Sequence, residues 1–257
     1  MIHSKSSIRQ IVRAMLDAVL PPSCVLCGAA LAKSGFCSRC QHSLLHSWPP
    51  SSVACQCCGL PRPREPIPAP GEACSACRNK QFGFDEVIAL AIYQEAVREA
   101  VIAAKLARHA PLATALGEQL ANCLLEKFGD APPQRVAFVP SHITRKLQRS
   151  GIGGVATMTE VIAKKLGKKS ESLLRLTRGV KKQSMLADAD RPANVRGAFA
   201  IKNRYAVGQR QNLQGQSILL VDDVLTSGST ASEIARVLKD AGAARVTLAV
   251  VARAVRR

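Results

Sequence analysis

One stretch limits the folds open to this chain more than any other: Ser217 to Thr230, reading S-I-L-L-V-D-D-V-L-T-S-G-S-T. An apolar run, Ile218 to Val221, ends in two adjacent carboxylates, Asp222 and Asp223. Two more apolar residues lead to small and hydroxylated residues around Gly228. Beyond them Ile234, Val237, Leu238 and Ala241 fall at helix-face spacing. The pattern predicts a buried strand, an acidic edge, a tight loop and a helix start. In an open parallel sheet ligands collect beyond the carboxyl ends of the strands, where Asp222 and Asp223 would stand. Thr226, Ser227, Gly228, Ser229 and Thr230 would offer backbone N–H groups and hydroxyls at a helix N-terminus, which suits a phosphate. Glycine at 228 lets the backbone approach an anion closely. Two carboxylates beside such a cradle suit the hydroxyls of a sugar and a Mg2+ ion.

V-D-D-V-L-T-S-G-S-T resembles the loop by which type I phosphoribosyltransferases bind phosphoribosyl pyrophosphate (PRPP). The resemblance implies that the acidic pair holds the ribose 2′- and 3′-hydroxyls and that the loop holds the 5′-phosphate. A strand ending in two surface acids is the plain alternative. A Walker-B edge is another, but it needs a G-x-x-x-x-G-K-[ST] loop upstream and the sequence has none.

Ten cysteines carry the second strong signal. Cys24 and Cys27, followed by Gly28, form one C-x-x-C pair, and Cys37 and Cys40 form the next. Cys55 and Cys58, followed by Gly59, and Cys74 and Cys77 repeat the arrangement across a proline-rich span from Pro61 to Pro70. Such turns aim two sulfurs at one ion, and four thiolates close a tetrahedral zinc site with no open position, so two structural zinc ions are expected. Redox dithiols are the alternative, and crossed pairing between the sets fits the spacing as well. Cys57 is an extra that can replace Cys58 by slippage; His42 and His46 can substitute as ligands. Cys123 shares a helical face with Leu116, Leu120 and Leu124 and reads as a small core residue.

At 257 residues and 47% apolar content the chain can bury one ordinary domain plus a small one. The expected division is an N-terminal amphipathic helix within 1–22, a double zinc-finger region over 23–80, and a phosphoribosyltransferase-like domain over 81–257. Ile8, Ile11, Val12, Met15, Leu16, Val19 and Leu20 give the first segment its apolar face. From Phe82 onward the pattern alternates. Strands are expected at 86–93, 135–139, 173–176 and 245–251, and helices at 96–107, 111–128 and 157–166. Residues 181–205 read as loop. Strands alternating with helices call for a parallel doubly wound sheet.

Net charge is +18, and residues 141–182 hold eleven Lys or Arg against two Glu. That excess is a solvated surface or an attraction to polyanions, whether nucleic acid, acidic lipid or pyrophosphate. No run is long and apolar enough to span a bilayer. The N-terminus, broken by Arg9, Arg13 and Asp17, makes a poor signal peptide, so a cytoplasmic location is expected.

Several features together narrow the resemblance: the paired C-x-x-C knuckles, Tyr93 followed by a helix carrying Lys105, and the block K-Q-S-M-L to R-P-A-N-V-R-G-A-F (Gln183, Arg191, Asn194, Phe199). With the loop, they resemble the ComF family from Cys24 onward. That resemblance places the pyrophosphate-binding loop at Pro140 to Arg145, drawing on Pro140, Ser141 and Arg145, with Lys146 and Lys105 as further cations. Family members carry R-G-F-N-Q shortly afterwards; here Gln148 to Gly154 reads Q-R-S-G-I-G-G. The second-substrate step is the one this departure touches.

Two functions follow. As an enzyme, the chain would join PRPP to a base or amine, releasing pyrophosphate through an oxocarbenium-like state aided by Mg2+. Thr226 stands where 6-oxopurine salvage enzymes carry an acid, which excludes that substrate class. As a binding module, the resemblance implies a part in natural competence, handling incoming single-stranded DNA beside other competence proteins. Only nine aromatic residues are present, so stacking platforms for a single strand are few.

Overall fold

The computed structural model describes residues 21–32, 35–45, 54–62, 72–106, 109–140, 154–181, 186–187, 189–202 and 212–255. The helix expected within 1–22 lies outside the described residues. In chain order the elements begin with α1 (Ser38–Leu45), β1 (Glu86–Ile92), α2 (Glu95–Ala104) and α3 (Ala110–Phe128). Next come β2 (Arg135–Phe138), α4 (Gly154–Lys165), β3 (Ser170–Glu171) and β4 (Leu174–Leu176). The chain closes with α5 (Arg191–Val195), β5 (Phe199–Ile201), β6 (Ser217–Leu225), α6 (Ser229–Asp240) and β7 (Arg245–Arg253).

The main sheet is parallel throughout, in the order β1-β7-β6-β2-β3. Its two longest strands, β6 and β7, are nine residues each and rich in Val and Leu; β7 is buried from Val246 onward and β6 at Ile218 to Val221 and Leu225, as strands covered on both faces must be. One core forms under α2, α3 and α4, where Leu116, Leu120, Leu124, Met158 and Ile162 meet Leu219 and Val221. The other forms under α6, where Ile234 and Leu238 meet Ile218, Leu220 and Leu248. Alternate residues of β6 thus feed opposite cores, which fixes its register: a one-residue slip would exchange the two sets.

Three features depart from the sequence reading. β6 does not end at the apolar run; it continues through both aspartates to Leu225, still paired with β7. β4 does not join the main sheet but pairs antiparallel with β5 in a separate two-stranded ribbon. The span 181–205, read as loop, holds both α5 and β5. Short strands with three-residue partners leave no periodicity to detect, which is why these were missed.

The cysteine-rich segments dock at two places. Leu44 of α1 enters the core under α2 and α3, with Val25, Leu26 and Phe36 packed against it. The second segment lies along β1: the Val87 amide donates to the Gln56 carbonyl at 2.8 Å. Helix α4 starts at a glycine for a steric reason. A Cβ on Gly154 would collide with the Ala104 carbonyl oxygen at the end of α2. Gly154→Ala must push α2 and α4 apart, and should lower the unfolding free energy by about 1–3 kcal/mol in urea titration.

Candidate functional site

β6 carries Asp222 and Asp223 past the apolar core to the carboxyl edge of the sheet, and the chain turns at Thr226 to Gly228 into α6. Gly228 caps that helix with φ +85°, a left-handed conformation that costs glycine nothing. The Ser227 and Ser229 hydroxyls lie 3.0 Å apart across the turn. The Ser232 amide donates to the Gly228 carbonyl at 2.8 Å, closing the first helical turn. The loop Thr226 to Thr230 is therefore a tight turn at a helix N-terminus, as its residue types demanded.

The carboxylates differ in their surroundings. Asp223 accepts an ion pair from Lys105 at 2.8 Å, the ammonium coming from the residue that caps α2. Burial opposes the charge on Lys105, but Asp223, with Asp222 and Tyr93 beyond it, outweighs burial and holds the ammonium above the ordinary lysine value. Among the described residues Asp222 has no ion-pair partner of its own. Its Oδ1 accepts the Asp223 amide at 2.9 Å. Burial first, and then the neighbouring Asp223 charge, push it up to about 8. Among the described residues one lysine, Lys105, serves the two adjacent acids.

Residues 141–150 lie outside the described residues, so Ser141, Arg145 and Lys146 have no place in this geometry; Pro140 follows β2 at the same edge of the sheet. Of the departure Gln148 to Gly154, Gly154 alone is described. Its absent side chain leaves α2 room to approach α4, so at least this glycine serves packing near Lys105.

A second group of residues supports the loop, and sequence reasoning did not find them. Phe82, stacked on Phe84 at 4.9 Å, lies under Gly228: a Cβ there would come within 2.9 Å of the Phe82 ring. A Cβ on Gly83 would collide with the Ser232 carbonyl oxygen in α6. At the end of β7, the Arg253 guanidinium donates to the carbonyls of Leu225 at 2.9 Å and Thr226 at 2.8 Å. Its Nε donates to the Cys58 carbonyl at 2.6 Å. One signal was available: a single cation ending the apolar run of β7. A cleft of about 1210 Å³ opens beside the loop, lined by Phe82, Gly83, Thr226 to Ser229 and by Arg191 and Arg196 of the α5 region.

The eight cysteines gather as two sets, Cys24, Cys27, Cys37, Cys40 and Cys55, Cys58, Cys74, Cys77, with the sulfurs of each within 4.8 Å of one another. Pairing is within sets and not crossed. A tetrahedral site with Zn–S near 2.3 Å needs sulfurs about 3.8 Å apart. Cys55 and Cys77 stand at 3.8 Å, Cys58 and Cys74 at 3.6 Å, and Cys27 and Cys37 at 3.8 Å. The Cys37 amide donates to the Cys24 sulfur at 3.4 Å, the N–H···S bond that steadies a thiolate. Four thiols packed together cannot all ionise without a cation. Hydrogen bonding from Cys58 draws Cys55 down to about 4, while the same bond pushes Cys58 above the usual thiol range. The donor sets fit zinc. Cys57 stands outside them, its thiol donating to the Glu72 carbonyl, and Cys123 packs against the α3 core. His42 belongs to neither set, and His46 lies outside the described residues.

Residues 15–81 match the double zinc ribbon domain, and residues 153–257 the phosphoribosyl transferase domain. The DNA utilization protein YhgH of Escherichia coli is 29% identical over 237 residues, spanning 88% of this chain and 95% of its own. The chain thus carries a double zinc ribbon domain ahead of a phosphoribosyl transferase domain. The protein of the same name in Salmonella typhimurium is 29% identical over 234 residues, with the same shares covered. Among solved structures, an allosteric regulatory enzyme of purine biosynthesis is 21% identical over 54% of this chain and 26% of its own, at a TM-score of 0.35. No helix among the described residues is long and apolar enough to cross a membrane.

The raised Asp222 has a consequence for stability. Between its ordinary value of 3.8 and about 8, the folded chain keeps a proton that the unfolded chain releases. Stability is therefore greatest at the acid end of that window and falls as pH rises through it. Asp222→Asn removes the loss, so its stability advantage over wild type should grow steadily as pH rises from 5 to 8, by up to about 1.4 kcal/mol per pH unit. Urea midpoints across that range check the difference.

Proposed function

We propose that this protein binds PRPP with Mg2+ at the end of β6, and that it serves the handling of incoming single-stranded DNA. The carrying observation is one juxtaposition. An adjacent carboxylate pair, served by one lysine among the described residues, stands directly before a left-handed glycine turn at a helix N-terminus. Few ligands ask for both; a sugar bearing a phosphate on one side and a metal-bound pyrophosphate on the other does.

In this reading the hydroxyls of Ser227, Ser229 and Thr230 and the turn's backbone, from Thr226 through Gly228, receive the 5′-phosphate. Asp222 and Asp223 accept the ribose 2′- and 3′-hydroxyls. Their oxygens are hard donors suited to Mg2+, which supplies charge neutralisation for the pyrophosphate when bound. Lys105 begins paired to Asp223 and transfers to pyrophosphate oxygens as the sugar hydroxyls take its place. Pro140, Ser141 and Arg145 complete the pyrophosphate side.

The name of the relatives, DNA utilization protein, supports the DNA part of the proposal. The basic excess supports it as well, though its placement is informative. Lys164 and Lys165 end α4, and Lys168 and Lys169 follow just before β3. A helix between parallel strands ends at their amino edge, so this cluster stands at the opposite edge from the loop.

A second reading, turnover, is favoured by the cleft of about 1210 Å³ beside the loop, which is lined by Arg191 and Arg196 and has room for a second ligand. The acceptor would be a base or amine other than a 6-oxopurine, and release of pyrophosphate on its addition would identify it.

Calorimetry of PRPP with Mg2+ tests the main proposal. Wild type should bind, and Asp222→Ala/Asp223→Ala should lose at least tenfold in affinity. Because Asp222 must shed its proton, the heat should vary with the buffer's ionisation heat in wild type and not in Asp222→Asn. Absence of heat from wild type would overturn the reading. For DNA, single-strand binding should fall steeply with salt, and the slope should shrink when Lys164, Lys165, Lys168 and Lys169 are changed to Gln. Indifference to both would remove DNA from the proposal.

A further inference from the structure

The second cysteine set is far more deeply placed than the first. Cys55, Cys58, Cys74 and Cys77 are all between 1% and 3% exposed, whereas Cys27 of the first set is exposed. A metal site needs no such depth to hold its own ribbon together. The depth arises because this ribbon is inserted against the sheet beside the phosphate loop. Gln56 is bonded to β1, Gly59 leaves its Cβ position to Val87, and the exit of the ribbon, Phe82 and Gly83, lies beneath Gly228 and Ser232.

Arg253 closes the connection. It is 7% exposed. Its guanidinium bonds to four backbone carbonyls: Cys58 in the ribbon, Leu225 and Thr226 in the loop, and its neighbour Ala254. Carbonyls satisfy its hydrogen bonds but not its charge, and among the described residues no carboxylate pairs with it. A buried cation without a counter-charge is costly. The tetrathiolate centre beside it, net negative even with its zinc, supplies that charge. Metal, arginine and loop therefore form one chain of contacts.

We propose that the second zinc centre holds the phosphate loop in shape through Arg253, a positioning residue, and that loss of zinc there, but not from the first ribbon, releases the loop. The loop's role as a phosphate site rests on the function proposed above; its mechanical dependence on the zinc centre does not. With zinc gone, the Cys58 turn loses its fixed position and the guanidinium loses its counter-charge, so both ends of the Arg253 bridge weaken together. Coupling of this kind is reciprocal: a ligand that fixes the loop must also tighten the second metal site.

Amide hydrogen exchange of the full zinc-loaded chain tests the coupling without requiring any ligand. Wild type should carry two zinc ions. In Cys74→Ser, peptides covering 225–230 should exchange at least tenfold faster than in wild type, and in Cys27→Ser they should be unchanged. Arg253→Met should show the same acceleration while still holding two zinc ions, a result that damage to the ribbon itself would not give. An unmoved loop in Cys74→Ser and Arg253→Met, or equal acceleration in Cys27→Ser, overturns the proposal. PRPP titration of the same proteins separates the two inferences. If wild type binds PRPP, affinity should fall about tenfold in Arg253→Met. If wild type fails to bind while the exchange pattern holds, the PRPP reading falls and the coupling stands.

Discussion

The adjacency of Asp222 and Asp223 is the constraint around which the rest of the molecule is arranged. Two carboxylates on consecutive residues at the end of a buried strand repel each other and lose hydration together. The chain answers with one amide, one ammonium and retention of a proton. The Asp223 amide is bonded to Asp222, Lys105 is paired with Asp223, and Asp222 rises to about 8. The neighbouring architecture makes that single ammonium available. Lys105 stands at the end of α2, whose position depends on the close approach of α4 at Gly154. A site so organised is satisfied only partly by its own protein. Under the proposed function, a ligand that brings a divalent cation and sugar hydroxyls would displace a proton from Asp222 as it enters.

The two ribbons answer different physical needs. The first is attached through apolar contacts of Leu44, Val25, Leu26 and Phe36 on the α2–α3 face, and it leaves Cys27 in solvent. It covers a core. The second meets the sheet through backbone hydrogen bonds, glycine contacts and a buried guanidinium, which are directional and tolerate little displacement. Directional contacts transmit position where apolar ones transmit only burial. That contrast is why the second metal centre, and not the first, can matter to a loop more than a hundred and fifty residues further along the chain.

What sequence made legible were features whose determinants lie next to one another. The strand–acid–glycine–helix run and the C-x-x-C pairs are each complete within a few residues, and the structure has both. The metal-ligand sets are the ones the spacing favoured, while the exclusion of Cys57 and of crossed pairing, which spacing left open, came from the structure. What stayed hidden were contacts between distant segments. Nothing near Lys105 announces Asp223, and nothing near Phe82 or Gly83 announces Gly228 and Ser232. The strand expected at 245–251 stopped two residues short of Arg253, whose burial makes it a bridge. The β4–β5 pair escaped for another reason: each strand is three residues long and owes its conformation to its partner. The true end of β6 was misplaced because aspartate is a poor strand former; pairing with β7 carried the strand through both acids.

The placement of charge separates two properties that composition had merged. Helix α4 is twelve residues, about 18 Å, from Gly154 beside Lys105 to the lysines at its far end. Mobile ions screen exposed charges over about 8 Å at physiological salt. The cluster Lys164 to Lys169 therefore contributes little field at the acid pair, and the acid pair little at the cluster. A phosphate ligand in the loop and a polyanion along the lysines would act as independent ligands unless a conformational change joined them. The basic excess of this protein is thus no argument for the sugar-phosphate site proposed at the end of β6. That site owes its character to local stereochemistry: a glycine turn, a helix end, and two acids sharing one lysine.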